Sequence, residues 1–165
     1  IAWARRDEGG QVAAGVEPML VPRQNQLAGV DDVFNAVLMK GDMLGDVVFY
    51  GKGAGRLPTA SAVAADVIDA LKNGAKVHDS LFWQPSEPFD GLLADATPAT
   101  YYVRTKNIPA TVLPALYGEG ELVLDKGAEA AYLVTYIGPQ GLFEARRKAE
   151  ALGGSVELTL RQLSE

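Results

Sequence analysis

The chain has 165 residues, 48% apolar and 22% charged, with a formal net charge of −6. That length is enough to bury a core, and the acidic balance offers no electrostatic footprint for nucleic acid or an anionic membrane surface. With no cysteine and one histidine, disulfides, thiolate chemistry and the usual protein zinc site are excluded. This composition fits a cytoplasmic protein, and no apolar run reaches membrane-spanning length.

The chain opens IAWARRDEGGQ, apolar from the first position and without an initiator methionine. Ile1 to Trp3 read as the end of an element begun elsewhere, and Arg5 to Gly10 as a charged turn. A piece of a longer protein is therefore expected. Gln11 to Val21 reads as a strand, whose second half Pro18 and Pro22 confine to an edge or an end. Arg23 to Asp32 is loop, tacked down by Leu27 and Val30. Val33 to Lys40 and Asp46 to Tyr50 form a hairpin across Gly41 to Gly45. Asn35 is expected to satisfy backbone groups at a strand edge or bulge.

Gly51, Gly53 and Gly55 then read as loop, and Pro58 as a first helical residue, its φ already set. Ala60, Val63, Ala64, Val67, Ile68 and Leu71 recur at helical spacing, and Gly74 closes the helix. A strand, a glycine loop and a helix start suit a negatively charged ligand, because the first helical N–H groups lack partners and the dipole favours anions. A tight strand-to-helix connection explains the same residues equally well. A dinucleotide fingerprint also needs a second strand ending in an acidic residue about 20 residues on. Here the chain continues AKVHDSLFWQPSEP, so this is not an ordinary Rossmann opening.

Residues 76–98 read as a linker carrying the domain boundary, with Leu81, Phe82 and Trp83 packed on a neighbouring surface. His78 has no acidic or nucleophilic partner at useful spacing, so neither catalysis nor metal binding is assigned to it. Thr100 to Thr105 is a strand. Pro114 limits Ile108 to Gly118 to one or two helical turns. Glu121 to Leu124 and Ala130 to Ile137 are strands. Gln140 to Leu152 is an amphipathic helix with Leu142, Phe143, Ala149 and Leu152 inward, ended by Gly153 and Gly154. Val156 to Leu163 alternates as a half-buried strand. The fold class is α+β: a partial antiparallel sheet with a helix, then a ferredoxin-like βαββαβ domain.

PMLVP at 18–22, LAGV at 27–30, NAV at 35–37 and above all GKGAGRLPTASAVAADV at 51–67 resemble homoserine dehydrogenase over roughly residues 12–73. The resemblance implies the C-terminal portion of an oxidoreductase that uses NADP or NAD to interconvert homoserine and aspartate semialdehyde in threonine and methionine biosynthesis. It implies that Gly53, Ala54, Gly55 and Thr59 line the cofactor. The family's catalytic lysine lies upstream, so Lys40 and Lys52 are given no catalytic role and the chain alone is expected to be inactive. The later βαββαβ order resembles an ACT domain, the amino-acid-sensing module. That implies an effector, threonine for preference, near Asn107 and Ile108. Ala110 stands where ACT domains carry glycine, so an oligomerisation role without an effector is the alternative. The expected organisation is 1–75 catalytic and dimerisation segment, 76–98 linker and 99–165 ACT-like domain. Incomplete sheets imply a homodimer.

Overall fold

A computed structural model describes residues 1–6, 12–74 and 97–163. The chain divides into two compact units, Ile1–Pro22 with Gly91–Glu165, and Arg23–Asp90. The expected linker and His78, Leu81, Phe82 and Trp83 lie outside the described residues, apart from Thr97 and Pro98.

The first unit is built on a five-stranded sheet. Its strands are β3 (Met19–Leu20), β6 (Ala99–Lys106), β7 (Gly120–Asp125), β8 (Glu129–Ile137) and β9 (Ser155–Gln162), in the order β3-β9-β6-β8-β7. Without β3, the order is that of a split βαβ fold: the two strands that precede helices lie side by side with the others outside them. The mixed α+β class expected from the sequence is what the structure shows. A 3-10 turn at Ala110–Val112 leads into α2 (Leu113–Tyr117), and α3 (Pro139–Ala151) joins β8 to β9. Pro114 falls in the first turn of α2, where its missing N–H costs nothing.

Alternation along β6 puts Tyr101, Val103 and Thr105 on the helix-covered face, where Val103, Ile108, Leu113 and Val134 are fully buried. Thr105 is buried too, and its hydroxyl donates to Ala130 O at 3.3 Å; the hydroxyl of Tyr132 donates to Gly118 O at 3.0 Å. From α3, Ala145 and Ala149 are buried and Leu142 packs beside them. Phe143 and Leu152, expected inward, are more than half exposed. Leu142, Ala145 and Ala149 share the sheet-facing side at helical spacing, and Phe143 and Leu152 fall off that side.

The N-terminal strand is not single. β1 (Ala2–Arg6) pairs antiparallel with β2 (Val12–Val16), and after Pro18 the chain re-enters as β3, parallel to β9. Proline cannot donate to a ladder, so Pro18 ends one pairing before the next begins. Arg5 and Arg6 therefore belong to strand rather than turn. Trp3 ties the hairpin to the sheet: its indole N–H donates to Glu17 Oε1 at 3.0 Å, Glu17 takes Arg161 at 3.5 Å, and the Arg161 guanidinium lies 5.3 Å from the ring centre.

The second unit holds β4 (Phe34–Gly41), β5 (Gly45–Lys52) and α1 (Arg56–Asn73). β4 and β5 pair from Phe34 opposite Lys52 to Gly41 opposite Gly45, the expected hairpin with a turn longer than two residues. Two starts differ from the sequence reading. Gly51 and Lys52 still pair in β5, and α1 begins at Arg56, not Pro58. Proline is acceptable anywhere in a first turn, so it marks a helix start only to within a residue or two. Gly74 ends α1, with φ 55°. No residue of α1 is buried, and Leu57, Leu71, Phe49 and Val37 are 59–80% exposed.

Candidate functional site

The glycine loop is held at both ends. Where β5 finishes, the Gly53 N–H donates to Val33 O at 3.2 Å. Gly55 is the N-cap of α1, at φ 119° and ψ 153°, a conformation open essentially to glycine alone. It offers no side-chain cap, and its carbonyl accepts the Thr59 N–H at 3.1 Å. The N–H groups of Arg56 and Leu57 have no intrahelical acceptor, and Pro58 has no N–H to satisfy. No acidic residue stands in the first turn. Lys52 lies 5.6 Å from the Phe34 ring, which stacks on Tyr50 at 4.9 Å. Backbone donors, helix dipole and nearby Lys52 and Arg56 make this end of the unit suited to negative charge.

Gly53, Ala54, Gly55 and Thr59 thus sit together at one strand-to-helix junction. Because the Thr59 N–H is spent inside the helix, Thr59 has only its hydroxyl to offer. Asn107 and Ile108 lie in the other unit, at the exit of β6. Asn107 has φ 58°, and its N–H donates to Ala128 O at 2.6 Å. The Ile108 side chain is fully buried, and a Cβ on Gly154 would overlap it. Its side chain belongs to the core and is not available to a ligand. A cavity of about 270 Å³ in the same unit is lined by Arg5, Thr97, Tyr136 and Arg161 among others, and by neither Asn107 nor Ile108. Among the described residues no cluster of His, Asp or Glu could hold a metal ion, and no helix is long and apolar enough to cross a membrane.

Asn35 departs from its expected role. It makes no hydrogen bond to another described residue; its side chain instead occupies the space beside Gly53 where a Cβ would stand. The clue in the sequence was a polar residue opposite a strand end where glycine recurs at two-residue spacing.

One unit carries a strand, a glycine loop and a helix, and the other is a mixed α+β unit. Residues 1–68 match the family model described as homoserine dehydrogenase. A homoserine dehydrogenase of Neisseria gonorrhoeae is 38% identical over 115 residues, which cover 65% of this chain and 26% of that protein. One of Pseudomonas aeruginosa is 35% identical over 140 residues, 76% of this chain and 32% of that protein. The crystal structure of a homoserine dehydrogenase from Thiobacillus denitrificans superposes with a TM-score of 0.69 at 30% identity, covering 98% of this chain and 41% of that one. The chain belongs to the homoserine dehydrogenase family and spans about a third or less of those two relatives.

Proposed function

We propose that this chain is the C-terminal portion of an NAD(P)-dependent homoserine dehydrogenase, which interconverts L-homoserine and L-aspartate 4-semialdehyde. The glycine-loop junction carries the reading: open N–H groups and a dipole end stand where strand β5 passes into α1, inside the matched residues. Gly53, Ala54, Gly55 and Thr59 form one wall for NADP or NAD. The backbone supplies donors to an anionic or carboxamide group, and the Thr59 hydroxyl one further contact. Hydride transfer is the cofactor's chemistry; these residues hold and orient it. Proton transfer needs a positioned acid or base, and none is assigned in this chain, so the isolated chain is inactive.

The bare apolar surface of the second unit supports the same reading. The hairpin exposes Val37, Met39 and Phe49, and the helix exposes Val63, Val67 and Leu71, apolar faces of the kind that mark interaction surfaces when they are contiguous. The remaining part of the enzyme and a second copy in a homodimer would cover it. We keep 1–75 as the end of the catalytic and dimerisation segment, 76–98 as linker and 99–165 as an ACT-like domain, with residues 1–22 packed in the same unit as the last. A cytoplasmic location follows from the nicotinamide cofactor and the biosynthetic role.

The split βαβ order supports a second role, in amino-acid sensing or oligomerisation. Asn107, held at positive φ beside the start of the 3-10 turn, would face a small amino acid such as threonine. One amide-shift experiment on the labelled chain tests both readings. NADPH is expected to move Gly53, Gly55 and Thr59, threonine to move residues 105–118, and homoserine oxidation to be absent. Turnover by the isolated chain refutes the fragment reading. No NADPH response at the loop refutes the cofactor wall, and no threonine response leaves the ACT-like unit a pairing module.

A further inference from the structure

We propose that Asn35 is a positioning residue of the glycine loop, its side chain setting where Gly53 passes and so how the chain enters α1. The ligand-binding role of that loop rests on the function proposed above; the fit between Asn35 and Gly53 does not. Asn35 lies opposite Gly51 in the hairpin register, and Gly53, two residues on, presents its missing side chain to the same face. The Asn35 side chain leans away from its register partner. A Cβ built on Gly51 meets nothing within 4 Å, whereas one on Gly53 would coincide with Asn35 Nδ2 and lie 2.7 Å from Cγ. Gly53 is not among the glycines at positive φ. Its φ therefore gives no backbone reason for glycine, and the space a Cβ would need is taken by the outer atoms of the exposed Asn35 side chain.

Two further observations give this contact a direction. Asn35 is the polar member of a face that also carries Val37, Met39, Val47 and Phe49, all apolar and, Val47 apart, exposed. Its amide makes no hydrogen bond to another described residue, so shape rather than an internal polar network accounts for the placement. The Gly53 N–H is tied to Val33 O from the opposite strand end. Gly53 is thus tied by a backbone bond and lined on its side-chain face by the Asn35 amide, immediately before the chain turns through Gly55 into α1.

The test uses the labelled 165-residue chain and the amide shifts of Ala54 to Thr59, with amides of β6 to β9 in the other unit as a folding control. Gly53→Ala is expected to move the loop amides, and Gly51→Ala, which has room, to leave them in place. Asn35→Ala retains only a Cβ, 3.5 Å from a Cβ at position 53, an ordinary contact. Adding it to Gly53→Ala is therefore expected to return the loop toward the parental pattern. Asn35→Asp, equal in shape, is expected to keep that pattern. Equal shifts from Gly51→Ala and Gly53→Ala, or effects of the two substitutions that simply add, overturn the proposal. If Gly53→Ala loses the hairpin altogether, its recovery in the double variant supports the proposal and continued loss overturns it. Coupling without any NADPH response at the loop would leave Asn35 as the positioning residue and refute the cofactor wall instead.

Discussion

Replacing Ile108 by alanine separates a core residue from a ligand contact. The Ile108 side chain is fully buried among Val103, Leu113 and Val134. Truncation removes three carbons beyond Cβ, at about 0.8 kcal/mol each, or about 2.4 kcal/mol of transfer free energy. Gly154 has no side chain to fill the space beside Ile108, so a cavity term adds to this. The total falls at about 3–4 kcal/mol, inside the range for such truncations. Ile108→Val, with one carbon removed, is expected to cost about 1 kcal/mol. Urea denaturation of the parent and both variants, followed through Tyr101 and Val134 amide signals, measures both. A loss under about 1 kcal/mol for Ile108→Ala would refute the core placement. A stability-neutral variant that lost only a threonine response would make Ile108 a ligand residue after all.

Tyr117 is 5% exposed, its hydroxyl has no hydrogen-bond partner among the described residues, and burial raises its pKa above the ordinary 10.0, with Arg146 opposing. The folded state therefore holds this proton to higher pH than the unfolded chain. Stability from this group is complete below pH 10 and declines as pH rises beyond it. Tyr117→Phe is expected to flatten that alkaline decline and to be neutral or slightly stabilising at pH 7; thermal melts at pH 7 and pH 11 decide. Gly55→Ala forces a side chain into φ 119° and is expected to cost about 1–3 kcal/mol locally, read as faster exchange of the Thr59 amide; unchanged exchange would contradict it. Glu129→Gln removes the half-exposed partner of Arg104 at 3.4 Å and is expected to change stability by no more than about 1 kcal/mol. Light scattering at micromolar concentration is expected to show self-association through the bare faces of the second unit, and a monomer would count against it.

Sequence alone determined most of the elements and their order. The helical repeat of Val63, Val67 and Leu71, the alternation of VELTLRQL and the glycines at 74 and 153 carry their own geometry, because backbone preference and side-chain period act over a few residues. The glycine-loop junction was legible for the same reason. What only the tertiary structure decided is which neighbour each face meets. Nothing local says that Met19 and Leu20 leave β2's register to join β9, or that Trp3 binds Glu17 beside Arg161. Nor does it say that α3 packs through Ala145 and Ala149 while Phe143 stays outside. Asn35 shows the limit most clearly: its local sequence suggests a strand-edge polar residue, but its role comes from a glycine 18 positions away in the chain. Periodicity encodes the side of an element; the partner on that side is set by register and close packing, which exist only once the chain is folded.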